Sequence, residues 1–354
     1  MALELSPQQK YALYRLWKGV TEEHKAEQTL GGYAGTGKTT IIRYLFKMLG
    51  NWGCAAYTGK AANVLRRKGV PATTIHSRIY KPHFESGHVY FELVPNLDVD
   101  GLIIDEASMV PKDIYEDLKS FGVPLIFVGD HGQLEPIGTD FNLMGNPEYR
   151  LEEIHRNAGD IARFAQHLRL GFSSNSFQPT DGSVRLIGQE TIQDLMGVDQ
   201  IICAYNKTRV ETNNIVRRAL GYQGLINIGE RVMCLRNNRN MRLFNGMQGI
   251  VKSLHDGKRG SKFMDFEFDN FMYNNIKYDP KQFGKENHDN KGAFGQDAPN
   301  PFDYCYCITC HKAQGDEWDK VMVYEQRSSR WNHKRWAYTA ASRAREQLTW
   351  KIGY

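Results

Sequence analysis

The stretch Gly31–Thr40, which reads GGYAGTGKTT, has residue types suited to binding phosphate. Within it, the order Gly-x4-Gly-Lys-Thr starts at Gly32 and ends at Thr39, which is the spacing of a phosphate-binding loop (P-loop). Glycines let consecutive backbone N–H groups curl around an anion, because no Cβ stands in the way. Lys38 would contact the β- and γ-phosphates, and Thr39 would bind Mg²⁺ through its hydroxyl. The alternative is a glycine-rich turn without a ligand.

Two adjacent carboxylates follow an apolar run further along the chain. Asp105 and Glu106 come directly after Leu102–Ile104, whose continuous apolar character is typical of a buried parallel strand. Ligands of open α/β sheets bind at the carboxyl ends of the strands, so these acids would lie near the P-loop. Asp105 would hold Mg²⁺, and Glu106 would activate the attacking water. Paired acids also occur as merely solvated strand ends.

A glutamine follows the next apolar run, Leu125–Val128, within the segment GDHGQLEPIG. A side-chain amide on the loop after a neighbouring strand can reach a γ-phosphate and respond to its presence. Gln133 is therefore predicted to be a catalytic switch residue.

These residues need alternating strands and helices to hold them at one sheet edge. Ser6–Trp17 is predicted to be a helix with Pro7 in its first turn, and the alternation after it is that of a parallel sheet. Pro82–Val94 interrupts the alternation with two extended pieces, which is a hairpin signal. The predicted strands are Gln28–Gly31, Cys54–Thr58, Gly101–Asp105 and Pro124–Gly129.

A second α/β set is expected after residue 146. Within it, a group of β-like runs with a tight turn at Asn245 and Gly246 predicts a small inserted antiparallel barrel. Phe271–Pro301 is polar and is predicted to be a long loop without secondary structure. The predicted strands of the α/β set are Ser183–Ile187, Gln200–Tyr205, Tyr304–Thr309, Val321–Tyr324 and Gln347–Ile352, and its helices are Lys207–Leu220 and Lys334–Arg345. The barrel strands are Arg231–Leu235, Gly249–Leu254 and Phe263–Phe268.

Composition describes an ordinary globular protein. The 354 residues, 41% hydrophobic and 24% charged, are enough for two or three domains. No apolar run approaches the ~20 residues that span a bilayer, and the N-terminus has no secretory pattern, so we expect a cytoplasmic protein without membrane contact. The net charge of +5 permits a polyanionic partner without requiring one.

The cysteines of the segment Cys307–His311 allow a second interpretation of its function. Cys307–His311 matches the C-x-x-C-H pattern of c-type haem attachment, which requires an exported chain. Haem or zinc is one interpretation, and small buried thiols in a reducing compartment are the favoured one.

Five motifs in a fixed order make the chain resemble the superfamily 1 helicases. They are GYAGTGKTT in the P-loop, DEAS (Asp105–Ser108), GDHGQLEPIG (Gly129–Gly138), HKAQGDEW (His311–Trp318) and AYTAASRA (Ala337–Ala344). Within that superfamily, TGKAA (Thr58–Ala62), TTIHS (Thr73–Ser77) and the inserted barrel resemble the 5′-to-3′ branch that includes RecD and the phage helicase Dda. The resemblance implies an α/β fold: two RecA-like P-loop domains, a small antiparallel β-barrel of Src-homology-3 type and a short β-hairpin pin.

For the nucleotide, the resemblance implies ATP with Mg²⁺ and assigns four further residues. Gln9 in LSPQQ reads adenine, Glu317 contacts the sugar, and Arg156 in EIHRN and Arg343 in AASRA are arginine fingers. Because both arginines belong to the second unit, hydrolysis would need closure of the cleft between the units. For each arginine alone, the alternative is a surface ion pair. The implied ATP-binding residues of the P-loop are Gly35, Thr36, Gly37, Lys38, Thr39 and Thr40, with Thr39 and Asp105 on the metal.

For nucleic acid, the resemblance nominates hydroxyl, lysine and histidine side chains, which suit sequence-independent phosphate contacts. The alternative for each is a structural hydrogen bond. In the hairpin, Phe84 or His83 is predicted to meet the first base pair of a duplex; the alternative is a plain hairpin packed on the domain. The nominated residues are Thr58, Lys60, Thr74 and His76 on the first unit and Thr309, His311 and Lys312 on the second.

The resemblance thus implies an ATP-driven motor that moves 5′-to-3′ on single-stranded DNA and unwinds forked duplex DNA in replication, repair or recombination. Expected partners beyond DNA are a single-strand-binding protein or replisome components, and the motor is expected to be monomeric. Two alternatives stay open: a small-molecule phosphotransferase, and an ATP-regulated DNA clamp or recombination mediator that does not unwind. The expected domains are residues 1–146 with a hairpin insertion at about 80–97, 147–225 joined to 304–354, and the barrel with its polar loop at 226–303.

Overall fold

The structure is a computed structural model. It describes residues 5–85, 88–134, 141–153, 159–236, 238, 241, 243, 245–268, 271–288 and 298–353. For Lys60, residues 82–85 and residues 88–91, the description covers the backbone only.

The first part of the chain forms a parallel sheet flanked by helices. Its elements are α1 (Pro7–Thr21), β1 (Glu27–Gly32), α2 (Lys38–Met48), β2 (Trp52–Ala56), α3 (Gly59–Arg67), β3 (Ala72–Thr74), α4 (Ile75–Ile79), β4 (Tyr80–Glu85), β5 (His88–Leu93), β6 (Gly101–Asp105), α5 (Lys112–Ser120), β7 (Leu125–Gly129) and β8 (Tyr149–Leu151). The described strands are ordered β3-β2-β6-β7-β1-β8, and every neighbouring pair is parallel. The four predicted strands are confirmed.

Local sequence explains these elements. The side chain of Ser6 caps α1 by accepting from the backbone N–H of Gln9, and Pro7 opens the helix as predicted. Strands β6 and β7 are covered on both faces, so nearly every side chain is buried and the apolar runs are continuous. Strand β8 extends the first sheet past residue 146, where the sequence had placed a domain boundary.

The second part of the chain contains another parallel sheet and a barrel. In chain order its elements are α6 (Gly159–Leu170), β9 (Val184–Ile187), α7 (Ile192–Met196), β10 (Gln200–Cys203), α8 (Asn206–Ala219), β11 (Arg231–Cys234), β12 (Gln248–Asp256), β13 (Lys262–Phe268), β14 (Phe271–Asp279), β15 (Asn300–Tyr304), β16 (Cys307–Thr309), β17 (Trp318–Tyr324), α9 (His333–Ala341) and β18 (Ala344–Lys351). The sheet is ordered β16-β10-β17-β18-β9 and is parallel throughout its described strands.

Strands β11 to β15 close into a barrel inserted between α8 and β16. Its core includes Phe266 and Phe302, both fully buried, with ring centroids 5.5 Å apart in an edge-to-face pair. Strands β14 and β15 pair in parallel, whereas the other barrel pairs are antiparallel, so the purely antiparallel barrel predicted above needs this correction.

The prediction of a structureless loop over Phe271–Pro301 is wrong for its first third and for its last two residues, which begin β15. Strand β14 occupies Phe271–Asp279 and pairs with β13. Asn275 has a left-handed backbone (φ 56°), and the register with β13 shifts near it. Such a bulge interrupts the alternation of apolar and polar residues, which hid the strand from a search for periodicity.

The predicted hairpin is confirmed as β4 paired with β5, from Tyr80 opposite Leu93 to Glu85 opposite His88. All six cysteines are buried free thiols, as favoured above. Among the described residues, no helix combines the length and apolar character needed to cross a bilayer. The chain is thus an α/β protein with two parallel RecA-like sheets and a closed five-stranded barrel.

Candidate nucleotide site and nucleic-acid cleft

The P-loop connects β1 to α2 with its backbone already turned for an anion. Gly35 and Gly37 have φ of 79° and 86°, a left-handed conformation that other residues adopt only with strain. The Lys38 ammonium donates to the carbonyl oxygens of Gly32 at 2.8 Å and Tyr33 at 3.1 Å. The loop therefore holds its lysine over the turn and leaves the N-terminus of α2 facing the cleft, as phosphate binding requires.

The two predicted acids lie at the carboxyl end of β6. Burial raises the pKa of Asp105, whose Oδ1 accepts from the backbone N–H of Glu106 at 2.9 Å. Burial, followed by the charge of Asp105, raises the pKa of Glu106 to about 7, while the positive charges of Arg343 and Lys38 oppose the rise. Glu106 also has a left-handed backbone (φ 55°), a conformation that few non-glycine residues adopt and that clusters at functional sites.

Gln133 lies on the loop after β7, buried and facing the cleft. Its Nε2 donates to the Oδ2 of Asp130 at 3.2 Å. Its Oε1 is buried without a hydrogen-bond partner within the described part of the chain. A buried carbonyl of this kind is costly unless a ligand or water donates to it. This Oε1 is an acceptor, so it suits a water molecule, which can donate to it, better than a phosphate oxygen.

Arg343 follows α9 and forms part of the opposite wall. Its side chain is buried, and among the described residues its guanidinium donates only to neutral oxygens: the carbonyls of Thr339 and Asp316 and the hydroxyl of Ser342. A buried cation without a carboxylate partner favours an anionic ligand nearby. The charge of Arg343 lowers the pKa of Glu106, so the two predicted catalytic groups from different units share one electrostatic environment.

A single cleft of about 2420 Å³ brings most of the predicted site together. Thr36 is buried beneath the loop instead, where its hydroxyl donates to the carbonyl of Tyr33 at 2.8 Å. The predicted nucleotide residues that line the cleft are Gly35, Gly37, Lys38, Thr39, Thr40, Asp105, Glu106, Gln133, Glu317 and Arg343. The predicted nucleic-acid residues that line it are Thr58, Thr74, His76, Thr309, His311 and Lys312.

The nucleic-acid candidates also make structural hydrogen bonds. Thr58 caps α3 by accepting from Ala61 N, and Thr74 caps α4 by accepting from Ser77 N, both at 3.1 Å. The Thr74 Oγ1 also shares a hydrogen bond with the Ser77 Oγ at 2.7 Å, but a hydroxyl has two lone pairs and a proton and so accommodates a further ligand contact. The structural and the ligand-binding interpretations are therefore compatible at both threonines.

On the second unit, Lys312 lies at the join with the barrel. Its Nζ donates to the Oδ1 of Asn245 at 2.7 Å, in the turn before β12. Burial lowers the pKa of both Lys312 and His311. A desolvated ammonium beside the cleft gains more from a phosphate than one in water, since charges interact more strongly at low dielectric.

Gln9 does not line the cleft. Its Oε1 accepts from Ser6 N at 3.0 Å and its Nε2 donates to the carbonyl of Thr36 at 2.9 Å. It therefore both caps α1 and fastens the P-loop, while its reading of adenine stays a prediction. Arg156 lies outside the described residues, and so do the side chains of Lys60, His83 and Phe84.

Sequence reasoning missed several residues that connect the two walls. Tyr33, Asp130 and Tyr338 meet beside the P-loop, although each stands inside a motif already quoted. Gln8 on α1 accepts from the backbone N–H of both Glu152 and Glu153, at 2.9 and 3.0 Å, and so fixes the chain where it leaves the first sheet after β8. The sequence offers one indication for the two tyrosines and the aspartate, which is their position inside the motifs, and no indication for the contacts of Gln8.

Comparison with known protein families identifies the class. A model described as an AAA domain matches residues 4–189, and a model described as a UvrD-like helicase C-terminal domain matches residues 304–349. Since the first match spans more than half of the chain, the chain belongs to that AAA-domain family. The second match and the relatives below confirm the resemblance to superfamily 1 helicases of the branch that contains RecD and Dda.

Three relatives illustrate this placement. The ATP-dependent RecD2 DNA helicase of Deinococcus radiodurans is 26% identical over 380 residues, which cover 94% of this chain and 49% of that protein. The ATP-dependent DNA helicase Dda of Enterobacteria phage T4 is 34% identical over 147 residues, 38% of this chain and 33% of that protein. The crystal structure of Bacteroides Pif1 bound to single-stranded DNA has a TM-score of 0.62 at 20% identity, covering 98% of this chain and 92% of that one, which shows a shared fold. The chain spans about half the length of RecD2 and a third of Dda.

Proposed function

We propose that this chain is an ATP-dependent DNA helicase that moves 5′-to-3′ on single-stranded DNA and unwinds forked duplex DNA. One observation carries the proposal: a single cleft is lined by the P-loop and acid pair of one sheet and by Arg343 and the Thr309–Lys312 segment of the other. Relatives that match the chain are themselves ATP-dependent DNA helicases, which supports the assignment. The polarity is an expectation of the family branch.

In this proposal, residues on the two walls of the cleft divide the steps of ATP hydrolysis between them. Lys38 and the N–H groups at the start of α2 bind the phosphates, and Glu106 accepts a proton from the attacking water that Gln133 orients through its Oε1. Arg343 stabilises the charge that develops on the transferred phosphoryl group. Because Arg343 and Glu106 belong to different units, turnover is fast only when the cleft is closed. Arg156 acts as a second finger, Glu317 contacts the sugar and Gln9 reads the base.

The residues at the strand ends fit Mg²⁺. Thr39 offers a hydroxyl and Asp105 a carboxylate, and hard oxygen ligands of this kind are those that Mg²⁺ takes together with phosphate oxygens. Asp105 is a carboxyl whose pKa is raised by burial, so a cation beside it offsets its desolvation. When bound, the ion would neutralise negative charge on the β- and γ-phosphates.

Single-stranded DNA occupies the remainder of the cleft in this proposal. Its phosphates contact the capping hydroxyls of Thr58 and Thr74 and the histidines and lysines nearby, namely Lys60, His76, His311 and Lys312, with Thr309 beside them. Such contacts hold the backbone without reading sequence. Phe84 on the hairpin separates the first base pair, and a single-strand-binding protein or replisome component supplies the substrate to a monomeric motor.

The proposal is tested by ATP turnover with and without single-stranded DNA, followed by unwinding of a fork with either a 5′ or a 3′ tail. We expect DNA to stimulate turnover and only the 5′-tailed fork to unwind. Turnover indifferent to DNA would instead favour a small-molecule phosphotransferase. Stimulation without unwinding of either fork would favour an ATP-regulated clamp or mediator.

A further inference from the structure

A buried tyrosine hydroxyl joins the P-loop to the loop that carries Gln133. The hydroxyl of Tyr338, on α9, accepts from the backbone N–H of Ala34 at 2.7 Å. The same hydroxyl donates to the Oδ2 of Asp130 at 2.7 Å. Asp130 is fully buried, and its carboxylate also accepts from Gly132 N at 2.9 Å and from the Nε2 of Gln133. One oxygen of the second unit thus contacts two catalytic segments of the first.

The aromatic ring of Tyr33, in the P-loop, packs in the core of the second unit. Tyr33 packs edge-to-face against Tyr338, with ring centroids 5.9 Å apart, and lies 4.2 Å from the ring of His131. The Arg169 guanidinium on α6 lies 3.9 Å from the Tyr33 ring centroid and donates to its hydroxyl at 2.8 Å. A cation over the face of a buried ring is a favourable contact. We call Tyr33, Asp130, Arg169, Tyr338 and Thr339 the tyrosine junction.

The next residue on α9 extends the junction to the arginine finger. The Oγ1 of Thr339 accepts from the backbone N–H of Leu134 at 3.0 Å, directly after Gln133. The carbonyl of Thr339 accepts from the Nε of Arg343 at 3.0 Å. Two consecutive residues of one helix therefore fix the P-loop, the Gln133 loop and the Arg343 guanidinium relative to one another.

We propose that Tyr338 is a positioning residue whose hydroxyl sets Arg343 and Gln133 relative to the P-loop and so couples cleft closure to ATP hydrolysis. The inference rests on the proposed function and extends it. Only a hydroxyl accepts from Ala34 and donates to Asp130 at once, so a ring without it keeps the packing and loses the coupling. Without that donor, the buried Asp130 carboxylate draws more strongly on the Gln133 amide, and Arg343 loses its register with the phosphates.

The test is Tyr338→Phe, which removes one oxygen and retains the ring. We expect kcat of ATP hydrolysis with single-stranded DNA to fall roughly tenfold. A tenfold change in rate corresponds to about 1.4 kcal/mol of activation free energy, which is close to the net contribution of one hydrogen bond. The KM for ATP and the Kd for single-stranded DNA should change less than about twofold, because Lys38 is held by the carbonyls of Gly32 and Tyr33 and not by the Tyr338 hydroxyl. This split between kcat and KM is not the signature of simple destabilisation.

Tyr324→Phe is the matched control. The Tyr324 hydroxyl is also mostly buried in the second unit, but it donates to Glu190 at 3.0 Å, whereas the Tyr338 hydroxyl contacts the P-loop and Asp130. Both variants should lower the thermal midpoint to a similar degree, and only Tyr338→Phe should lower kcat. Equal kcat for Tyr338→Phe and wild type, at temperatures where both are folded, would overturn the proposal. If DNA does not change the ATP turnover of the wild type, the proposed function is wrong. The role of Tyr338 is then tested by comparing the DNA-independent kcat of the two variants.

Discussion

At the scale of single residues, the position of Glu106 explains its chemistry. Its backbone turns into the left-handed region directly after a buried strand, which points the carboxyl away from the sheet and into the cleft. Burial and Asp105 then hold its pKa at about 7, so the group exchanges its proton near neutral pH. A general base is most effective when its pKa lies close to the working pH.

We expect the pH dependence of kcat/KM for ATP to follow this ionisation, because kcat/KM reports the free enzyme. Only the deprotonated carboxylate accepts a proton, so the value should rise with pH around a midpoint of about 7. Glu106→Gln should reduce kcat by about 100-fold or more, the usual contribution of a general base, while the Kd of a fluorescent ATP analogue stays similar. A flat wild-type profile from acidic to alkaline pH would contradict the role of Glu106.

Gly132 is a second residue whose identity follows from its contacts. A Cβ at this position would lie 2.9 Å from Tyr33 Cε1 and 3.0 Å from Tyr338 Cε1, between two packed rings. Gly132→Ala should therefore lower the free energy of unfolding by about 1–3 kcal/mol, the usual effect of overpacking. Gly188→Ala is the control, since a Cβ there meets no atom within 4 Å. Chemical denaturation measures both, and equal stability of the two variants would show that the rings move apart freely.

At the scale of elements, the sequence predicted those strands whose burial is uniform. Strands β6 and β7 are recognisable because both faces are covered and their centres, Leu102–Ile104 and Leu125–Val128, are continuous apolar runs. Strand β14 is not, because the left-handed Asn275 shifts the alternation within the strand. The P-loop and the acid pair were predictable because their residue types and positions indicate phosphate and Mg²⁺ chemistry, whereas Arg343 was predicted only from the resemblance of AASRA to a helicase motif. The tyrosine junction was not, since Ala34 and Tyr338 lie far apart in the chain and only the tertiary structure brings them together.

The segment after β14 is anchored by a buried ion pair. Arg209 on α8 pairs with Asp303 on β15, and Asp303 also accepts from the backbone N–H of Gly284 at 2.7 Å. Both side chains are almost fully buried. The pair therefore fastens the barrel and the polar segment to the second sheet.

Asp303→Ala should cost roughly 3–5 kcal/mol of unfolding free energy, because it leaves the buried Arg209 cation uncompensated. The matched control is Asp256→Ala, which breaks the exposed pair with Lys262 in the same barrel and should cost less than about 1 kcal/mol. Urea denaturation of the two variants provides the comparison. Similar midpoints for both would mean that Arg209 finds another partner or water.

At the scale of the whole molecule, the proposed activity depends on residues from both sheets meeting in one cleft. Arg343→Ala should reduce DNA-stimulated kcat by about 10³-fold or more, the range known for arginine fingers, and leave ATP binding similar. Arg345→Ala is the control: Arg345 lines the same cleft but pairs with Asp319 in an exposed salt bridge. Single-turnover hydrolysis with saturating DNA makes the comparison. A loss of similar size in both variants would assign the effect to general charge in the cleft.

Tyr33 and Leu134 belong to the first unit by sequence, yet they pack within the hydrophobic core of the second sheet, among Phe164, Trp336 and Trp350. Withdrawing them would expose apolar surface, so a rotation of one sheet against the other is least costly when both side chains stay embedded. The axis of such a rotation would pass beside the P-loop, which carries Tyr33. It would move the barrel, inserted in the second unit, relative to the hairpin of the first.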